Sequence, residues 1–212
     1  MKSVIIGSGT YGQVYLAYLR EVGVEVIGFL DDNPDEHGKI YDGIPVLGDR
    51  NMLKTLKQFQ GVDSVYCPIG NNQIRVTLLE FASSLGYNTP NYIHPSVIIS
   101  PNVEIGEGVY ILMGSMIMPY TKICNYTMIS MNVCVAHHSV LNQGVFLSTG
   151  VNFGASIIAE ENAYCGISST IMTGVTRIGK DCLIGAGAVV IKDVPDEAII
   201  AGVPAKVLRF KK

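Results

Sequence analysis

Two adjacent histidines, His137 and His138, are the residues of this 212-residue chain best suited to proton transfer. An unperturbed imidazole has a pKa of about 6.5, so it can take a proton from a nucleophile at neutral pH. The other histidines lie in contexts that suggest no catalytic role, because His37 is in a polar, glycine-bearing stretch and His94 directly precedes a proline. The adjacent pair is therefore the candidate catalytic position.

A second group of residues has the spacing of a phosphate-binding turn. An apolar run at residues 2–6 predicts a strand, and the pattern GxGxxG follows it before a segment with helical periodicity. Glycines permit a tight turn, and the first N–H groups of the helix can bind a phosphate. The acidic pair Asp31-Asp32 follows a second predicted strand, where a carboxylate can accept hydrogen bonds from ribose hydroxyls. The residues of the turn itself are Gly7, Ser8, Gly9 and Gly12.

Another glycine turn, Gly70-Asn71-Asn72, follows a third predicted strand at residues 62–69. Turns at the carboxyl ends of neighbouring strands meet in one crevice, where open α/β sheets bind their ligands. Only about 90 residues are available for this sheet, which fits half of a dinucleotide-binding fold and a single nucleotide. We therefore predict an α/β, Rossmann-like half domain over residues 1–90 that binds a nucleotide-linked substrate.

From residue 93 to residue 153 a large apolar side chain recurs at every sixth position. A small or β-branched side chain recurs two positions earlier. A period of six fits neither an α-helix nor an isolated strand, and it is typical of stacked coils that support one another. Three hexapeptides make one triangular turn of a parallel β-helix with both columns inside. The large column is Ile93, Ile99, Ile105, Ile111, Ile117, Ile123, Ile129, Val135, Leu141, Leu147 and Phe153.

The large column breaks after Phe153 and resumes one residue out of step. We interpret the change as a bulge or short loop between residues 154 and 165, within one continuous solenoid. The predicted second domain therefore covers residues 91–212 and ends in a short basic tail. The resumed column is Met172, Ile178, Ile184 and Val190.

Composition excludes several classes of function. The formal net charge of −3 gives no reason to expect a nucleic acid or an anionic membrane as partner. No apolar run approaches the ~18 residues of a membrane span, so we expect a cytoplasmic protein without membrane insertion. The five cysteines have neither a CxxC pair nor the spacing of a zinc site. We expect them to be reduced and mostly buried, and we expect no bound metal.

With the coils, the glycine turns and the closing segment Gly202–Lys206, the whole chain resembles the hexapeptide-repeat acyltransferases. It is most similar to the nucleotide-amino-sugar N-acetyltransferases and the sialic acid O-acetyltransferases, also through Ile117–Tyr120 and the histidine-bearing coil. The resemblance implies that the β-helix is left-handed and trimerises, with acetyl-CoA in the groove between neighbouring helices. It implies an acetyl-CoA-dependent N-acetyltransferase for a UDP- or dTDP-linked 4-amino sugar, made for surface glycans.

The resemblance also assigns the catalytic roles. In the family the base is the first residue of a His-acid pair in this coil, which here is His137. The acid is replaced by His138, so the orienting partner of the base is left open, with Asn132 or a residue of another chain as candidates. A second family histidine, nine residues after the base, corresponds to Phe146, so one polar contact to the acetyl donor is missing.

The acetyl donor needs an oxyanion-binding N–H and room for its pantetheine arm. We expect the N–H near Gly154-Ala155, and acetyl-CoA along a series of mostly small residues. Lys206 is either a point charge for the CoA phosphates or a solvated terminal lysine. The residues expected along the arm are Gly166, Ile167, Gly185, Ala186 and Gly187.

Several other functions stay open on the sequence. Enzyme alternatives are O-acetylation of a sugar such as sialic acid and transfer of a longer acyl group. An NAD(P)-dependent oxidoreductase is disfavoured by the short α/β segment. A metal-dependent hydratase like the γ-type carbonic anhydrases needs three converging imidazoles, which adjacent His137 and His138 do not supply. A non-catalytic trimeric scaffold is the remaining alternative.

Overall fold

A computed structural model describes residues 2–211 of the chain. These residues form two compact units, one ending at Pro90 and the other beginning at Asn91. Within the described part of the chain, no helix is long and apolar enough to cross a membrane.

The first unit is a five-stranded sheet with three α-helices. The strand order is β3-β4-β2-β1-β5, and only the pairing of β3 with β4 is antiparallel. Short 3₁₀ helices cover Pro34–Glu36 and Arg50–Met52. The main elements are β1 (Lys2–Ile6), α1 (Thr10–Glu21), β2 (Glu25–Leu30), β3 (Ile40–Tyr41), β4 (Ile44–Gly48), α2 (Leu53–Gln60), β5 (Val62–Tyr66) and α3 (Asn72–Ser84).

Strands β1 and β2 read as nearly continuous apolar runs after their first residues, as expected for parallel strands covered on both faces, and their apolar residues are mostly buried. Strand β5 is also largely buried although it contains Asp63 and Ser64. Val4, Ile5, Phe29 and Leu30 are fully inaccessible to solvent, as is Val65 in β5. The carboxyl ends of β1 and β5 are neighbours, so the two glycine turns that follow them lie at the same edge of the sheet. The β3–β4 hairpin falls in the stretch that the sequence marked only as polar and glycine-bearing.

The second unit is a left-handed parallel β-helix built from two-residue strands, followed by two longer strands at its end. We call its sheets face 1 (β7, β10, β13, β16, β19, β22), face 2 (β8, β11, β14, β17, β20) and face 3 (β6, β9, β12, β15, β18, β21, β23, β24). The strands are β6 (Tyr92–Ile93), β7 (Ile98–Ile99), β8 (Glu104–Ile105), β9 (Tyr110–Ile111), β10 (Met116–Ile117), β11 (Lys122–Ile123), β12 (Met128–Ile129), β13 (Cys134–Val135), β14 (Val140–Leu141), β15 (Phe146–Leu147), β16 (Asn152–Phe153), β17 (Ile158–Ala159), β18 (Tyr164–Cys165), β19 (Thr170–Ile171), β20 (Arg177–Ile178), β21 (Leu183–Ile184), β22 (Val189–Val190), β23 (Ala198–Ala201) and β24 (Lys206–Phe210).

The interior of the β-helix is formed by the second residue of each strand, together with the residue two positions before it. Ile117 and Ile123 are each only 1% exposed, whereas their outward neighbours Met116 and Lys122 are exposed. Successive coils stack through parallel pairing 18 residues apart, for example Met116 with Cys134. Each predicted hexapeptide therefore forms one face of the β-helix, and three hexapeptides complete a coil of 18 residues.

The predicted position of the register change is wrong. The inward column continues without a break from Phe153 through Ala159, Cys165 and Ile171, all of them buried. The extra residue lies instead between Ile171 and Ile178, around Gly174, where the chain makes a small isolated bridge. Met172 was predicted to point inward but is 48% exposed, because Ile171 fills that place in the interior.

The predicted basic tail is also more ordered than the sequence indicated. Residues 206–210 form β24, which pairs antiparallel with β23 at the end of face 3. The pairing covers the backbone edge of the last coil. Three apolar side chains of β24 remain exposed, namely Val207, Leu208 and Phe210.

Candidate functional site

The corners of successive coils stack into three edges, which we name by the residues they carry. The histidine edge, between faces 1 and 2, consists of residues 100–103, 118–121, 136–139, 154–157 and 172–176. The second edge, between faces 2 and 3, consists of residues 106–109, 124–127, 142–145, 160–163 and 179–182. The glycine edge, between faces 3 and 1, consists of residues 112–115, 130–133, 148–151, 166–169 and 185–188.

His137 and His138 lie exposed on the histidine edge, and their imidazole rings contact each other. The two Nδ1 atoms are 3.0 Å apart, with the ring planes at 89°. One Nδ1 must therefore carry a proton and the other must accept it. The ring of Tyr120, one coil earlier, lies 4.8 Å from that of His138 at an interplanar angle of 33°. His138 has a left-handed backbone (φ 57°), and its N–H donates to the Pro119 carbonyl at 3.2 Å.

Asn132, a candidate partner for the base, lies elsewhere in the chain. It is on the glycine edge, where its side-chain oxygen packs against the backbone of Gly114 in the preceding coil. A single chain therefore does not bring Asn132 to His137.

The expected oxyanion donors lie beside the histidines, one coil further along the same edge. The N–H of Gly154 donates to the Ile171 carbonyl at 3.0 Å, and that of Ala155 donates to Thr173 Oγ1 at 3.2 Å. A side chain at Gly154 would come within 2.6 Å of the Thr173 nitrogen, so coil stacking by itself requires this glycine. The Gly154 N–H is bound by a backbone carbonyl of the next coil, whereas the Ala155 N–H is bound by the Thr173 side chain. Rotation of that side chain would free the Ala155 N–H for a ligand.

Two of the glycines expected to make room for acetyl-CoA are also explained by coil stacking. A Cβ at Gly166 would come within 2.7 Å of the Ile184 carbonyl oxygen, and one at Gly185 within 3.0 Å of the Ala201 Cβ. Neither glycine therefore needs a ligand to account for it.

Three of the remaining residues expected at the acetyl donor form an open surface, but not beside the histidines. Ile167 (55% exposed), Ala186 and Gly187 line the glycine edge, and no atom lies within 4 Å of a Cβ built at Gly187. Phe146 is buried on face 3 in edge-to-face contact with Tyr164, with ring centroids 5.3 Å apart. Lys206 is exposed at the start of β24. The whole width of face 1 separates the glycine edge from the histidine edge.

In the α/β unit, the first glycine turn is shaped by its own backbone contacts. Gly7 has a left-handed backbone (φ 96°), and any side chain at Gly12 would collide with the Gly7 carbonyl oxygen. Gly9, the residue that caps α1, has φ −60° and nothing within 4 Å of its Cβ position. No structural contact explains why Gly9 lacks a side chain.

Asp31 and Asp32 both have partners within the protein. The Asp31 carboxylate accepts from the Ser8 N–H and hydroxyl, each at 2.9 Å, and from the Asn33 N–H at 3.0 Å. Burial raises the pKa of Asp31, but these hydrogen bonds outweigh it, so the net shift is downward. Asp32 forms an ion pair with Arg50 at 2.9 Å, a partner that the sequence did not indicate.

The second glycine turn is organised by Arg75, whose side chain is fully buried. Its guanidinium donates to the Ile69 carbonyl at 2.9 Å and to Asn72 Oδ1 at 3.0 Å. Asn71 caps α3 by accepting from the Ile74 N–H at 3.1 Å, and Gly70 is exposed. Asn71 and Asn72, expected to contact substrate, therefore hold the turn together.

Next to these turns lies a cleft of about 260 Å³. It combines the Asp32–Arg50 ion pair with one face of α3, on which Gln73 and Thr77 are four residues apart, as are Ile74 and Leu78. The four-residue spacing of Gln73 and Thr77 could have placed both side chains on one face of a helix from the sequence alone. The pairing of Asp32 with Arg50 could not be predicted, because it depends on the folded sheet.

The remaining histidines have local roles. His37 Nε2 lies 2.8 Å from the Asp31 carbonyl oxygen, and His94 Nδ1 lies 2.8 Å from Ser96 Oγ. The five cysteines are unpaired, three of them buried and two half-buried. Among residues 2–211, no group of three or more His, Cys, Asp or Glu residues could hold a metal ion.

Comparison with known proteins decides the family. The family model of the PglD N-terminal domain matches residues 2–81. The chain is similar to GDP-perosamine N-acetyltransferase from Caulobacter crescentus, whose structure was determined as a histidine-to-alanine mutant in complex with CoA and GDP-perosamine. The two are 33% identical with a TM-score of 0.91, over 98% of this chain and 96% of that one. The chain belongs to the hexapeptide-repeat nucleotide-amino-sugar N-acetyltransferases.

A second solved structure agrees with this membership, and the predicted family and fold are confirmed. The acetyltransferase domain of PglB from Neisseria gonorrhoeae is 26% identical with a TM-score of 0.88, over 98% of this chain and 99% of that one. Galactoside O-acetyltransferase from Lactococcus lactis is 34% identical over 112 residues, which are 51% of this chain and 53% of that protein. The chain spans about half the length, or less, of the curated relatives it matches.

Proposed function

We propose that this protein transfers the acetyl group of acetyl-CoA to the amino group of a nucleotide-linked amino sugar. The observation that carries the proposal is the full-length similarity to an N-acetyltransferase whose structure contains both CoA and a nucleotide-linked amino sugar. The paired histidines on the β-helix and the glycine turns of the α/β unit supply chemistry that fits each of these two ligands.

His137 is the proposed general base. Its imidazole is exposed, so it can reach a bound substrate, and it can take the proton that the amino group loses on attacking the thioester carbonyl. The new C–N bond forms, the C–S bond breaks, and the CoA sulfur takes up the proton. The developing oxyanion needs a backbone donor. We assign this role to the Ala155 N–H, once Thr173 releases it.

The nucleotide is proposed to bind at the two glycine turns and the adjoining cleft. Gly9 supports this placement, because its missing side chain leaves open space at the start of α1. There the N–H groups of the helix can bind a phosphate. The resemblance favoured UDP or dTDP, whereas the similar Caulobacter enzyme carries a GDP-linked sugar. The assay below therefore compares amino sugars linked to different nucleotides.

The proposed active assembly is a homotrimer with face 1 turned inward. Face 1 presents exposed Ile98 (60%) and Met116 (45%), and its two borders are the histidine edge and the glycine edge. A ring of identical chains that buries face 1 places the histidine edge of one chain beside the glycine edge of the next. That arrangement brings the proposed base to the acetyl-CoA surface formed by Ile167, Ala186 and Gly187.

The test is incubation of the purified protein with acetyl-CoA and a panel of GDP-, UDP- and dTDP-linked amino sugars, with release of free thiol as the readout. We expect rapid release with at least one of them. The His137→Ala variant should lose roughly 10²- to 10⁴-fold in kcat. An unchanged rate in that variant would contradict the assignment of the base, and no release with any amino sugar would contradict N-acetylation.

O-acetylation is the second candidate function. The observation that favours it is the 34% identity to a galactoside O-acetyltransferase over 112 residues. Sugars with free hydroxyl groups and no amino group belong in the same assay. Thiol release with these alone would select O-acetylation.

A further inference from the structure

We propose that His138 positions His137 as the base by acting as a neutral hydrogen-bond acceptor. This inference rests on the proposed function, in which His137 removes a proton from the amino group. The observation behind it is the 3.0 Å contact between the Nδ1 atoms of the two imidazoles.

Only one hydrogen can lie between two nitrogen atoms at that distance, and its position decides whether His137 can act. If His137 Nδ1 carries the hydrogen, the Nε2 atom of His137 has a free lone pair and can accept the substrate proton. If His138 Nδ1 carries it, His137 is protonated on Nε2 and cannot. After the transfer, His137 bears hydrogens on both nitrogens, so its Nδ1 can only donate. His138 must therefore be the acceptor, with its own hydrogen on Nε2.

The surroundings hold the ring of His138 in place. Its left-handed backbone is anchored by the hydrogen bond from its N–H to the Pro119 carbonyl. Tyr120 packs against the ring from the preceding coil, with the centroids 4.8 Å apart. The acceptor atom is therefore fixed from two directions, which a positioning residue requires.

No other charged group can take over this task from the coils that stack on the pair. The corner segments 118–121 and 154–157 contain no Asp, Glu, Lys or Arg, so Tyr120 is the titratable side chain that packs on His138. Lys122, just beyond Tyr120, pairs with Glu104 at 3.7 Å. A first proton on either ring inactivates the pair, because it consumes the base or turns the acceptor into a donor.

The test compares three substitutions at position 138 with a control. Asn tolerates the left-handed backbone and offers an amide oxygen as acceptor, whereas Ala offers none. We expect His138→Ala to lower kcat about tenfold to a hundredfold with little change in KM, as a partial loss of the base's contribution. His138→Asn should restore kcat to within about threefold of the wild type. Asn102→Ala, at the equivalent exposed corner two coils earlier (φ 61°), should leave kcat unchanged.

The pH profile tests whether the side chain at position 138 faces the base. His138→Glu places a carboxylate next to His137 and stabilises the imidazolium, so the acidic limb of kcat/KM should move to higher pH. A side chain pointing away from His137 would leave this limb in place, and rescue by Asn but not by Ala separates a hydrogen-bond acceptor from packing. The proposal is overturned if His138→Ala keeps the wild-type kcat, or if His138→Asn is as impaired as His138→Ala.

A second measurement does not depend on activity. In ¹⁵N-histidine-labelled wild-type protein at neutral pH, the ring nitrogen shifts should show His137 protonated on Nδ1 and His138 on Nε2. The reverse pair of tautomers would refute the positioning role. If the wild type acetylates no amino sugar, the proposed function fails. The tautomers still decide whether His138 sets the state of His137.

Discussion

The glycines of the first turn are present for different physical reasons, and this difference can be tested. A methyl group at Gly12 would collide with the Gly7 carbonyl oxygen, whereas one at Gly9 would meet nothing. We expect Gly12→Ala to lower the free energy of unfolding by about 3 kcal/mol, at the upper end of overpacking effects, because backbone cannot move aside as a side chain can. Gly9→Ala should not lower stability, and urea denaturation followed by circular dichroism measures both.

Gly9→Ala is also a matched probe of the nucleotide site. If Gly9 leaves room for a phosphate, its replacement should raise the KM for the nucleotide-linked sugar while the urea midpoint stays at the wild-type value. An unchanged KM would place the phosphate elsewhere.

Asp31 should make the α/β unit sensitive to acid. The pKa of Asp31 in the folded state lies below its ordinary value of 3.8, so its stabilising contribution is present above pH ~4 and is lost as the pH falls through the folded pKa. At pH 7, Asp31→Asn should lower the free energy of unfolding by about 1–2 kcal/mol, because two hydrogen bonds from Ser8 lose their charged acceptor. The difference from wild type should shrink at pH 3.

Asp35→Asn is the control for that experiment, since it removes the same charge from an exposed position. It should leave stability at pH 7 nearly unchanged. Equal losses in both variants would mean that net charge, and not the bond to Ser8, accounts for the effect.

At the scale of elements, the sequence predicted the β-helix because two side chains in every six must fill the interior of a coil. It failed to locate the register change for a related reason. Ala159 and Cys165 fill the interior with small side chains, so the column of large side chains is interrupted after Phe153. Met172 is a large apolar residue at the position where the column would resume, but it is exposed, and its neighbour Ile171 is the buried residue. Periodicity reports side-chain type, and the three-dimensional position of an extra residue is decided by packing.

The roles of individual site residues were less predictable than their locations. Ser8 and Asp31 are 23 residues apart, and Arg50 lies 18 residues from Asp32, so their pairing exists only in the folded sheet. The sequence likewise predicted that Asn72 contacts the substrate, whereas in the folded chain its side-chain oxygen accepts a hydrogen bond from the buried guanidinium of Arg75. Local patterns locate a turn, but tertiary hydrogen bonds decide which of its polar groups remain available.

The strand β11 offers a test of which side chains support a coil. Ile123 is buried in the interior, while its neighbour Lys122 points to solvent. Ile123→Ala should cost about 2–5 kcal/mol through the cavity it leaves. Lys122→Ala should change the free energy of unfolding by no more than about 0.5 kcal/mol. Comparable effects in urea denaturation would contradict the assignment of the inward column.

For the whole molecule, the proposed trimer makes activity depend on face 1. Met116→Glu would place a carboxylate in the buried interface, where leaving a charge without a partner is costly. We expect sedimentation to show monomers for this variant. Acetyl transfer should be lost although His137 is unchanged, because the glycine edge of the neighbouring chain is no longer present.

Ile158→Glu is the matched control, since Ile158 points outward from face 2 with a similar exposure of 44%. This variant should stay trimeric and active. A monomeric wild type with full activity would contradict the proposed assembly, and so would dissociation by both variants.

The stacking of identical faces every 18 residues also limits how this gene can change its length. Duplication or loss of one whole turn keeps every inward side chain inward, so such events can pass selection at little cost. An insertion of six or twelve codons would shift all later residues by one or two faces of the β-helix. If it fell just after His137, the corner that now stacks on His137 would move to another edge. The corner around Gly174 shows that an edge of the β-helix can accommodate one additional residue. The unit in which this domain can gain or lose length is therefore the coil. Homologous β-helix domains should differ in length by multiples of eighteen residues, or by short loops at the edges.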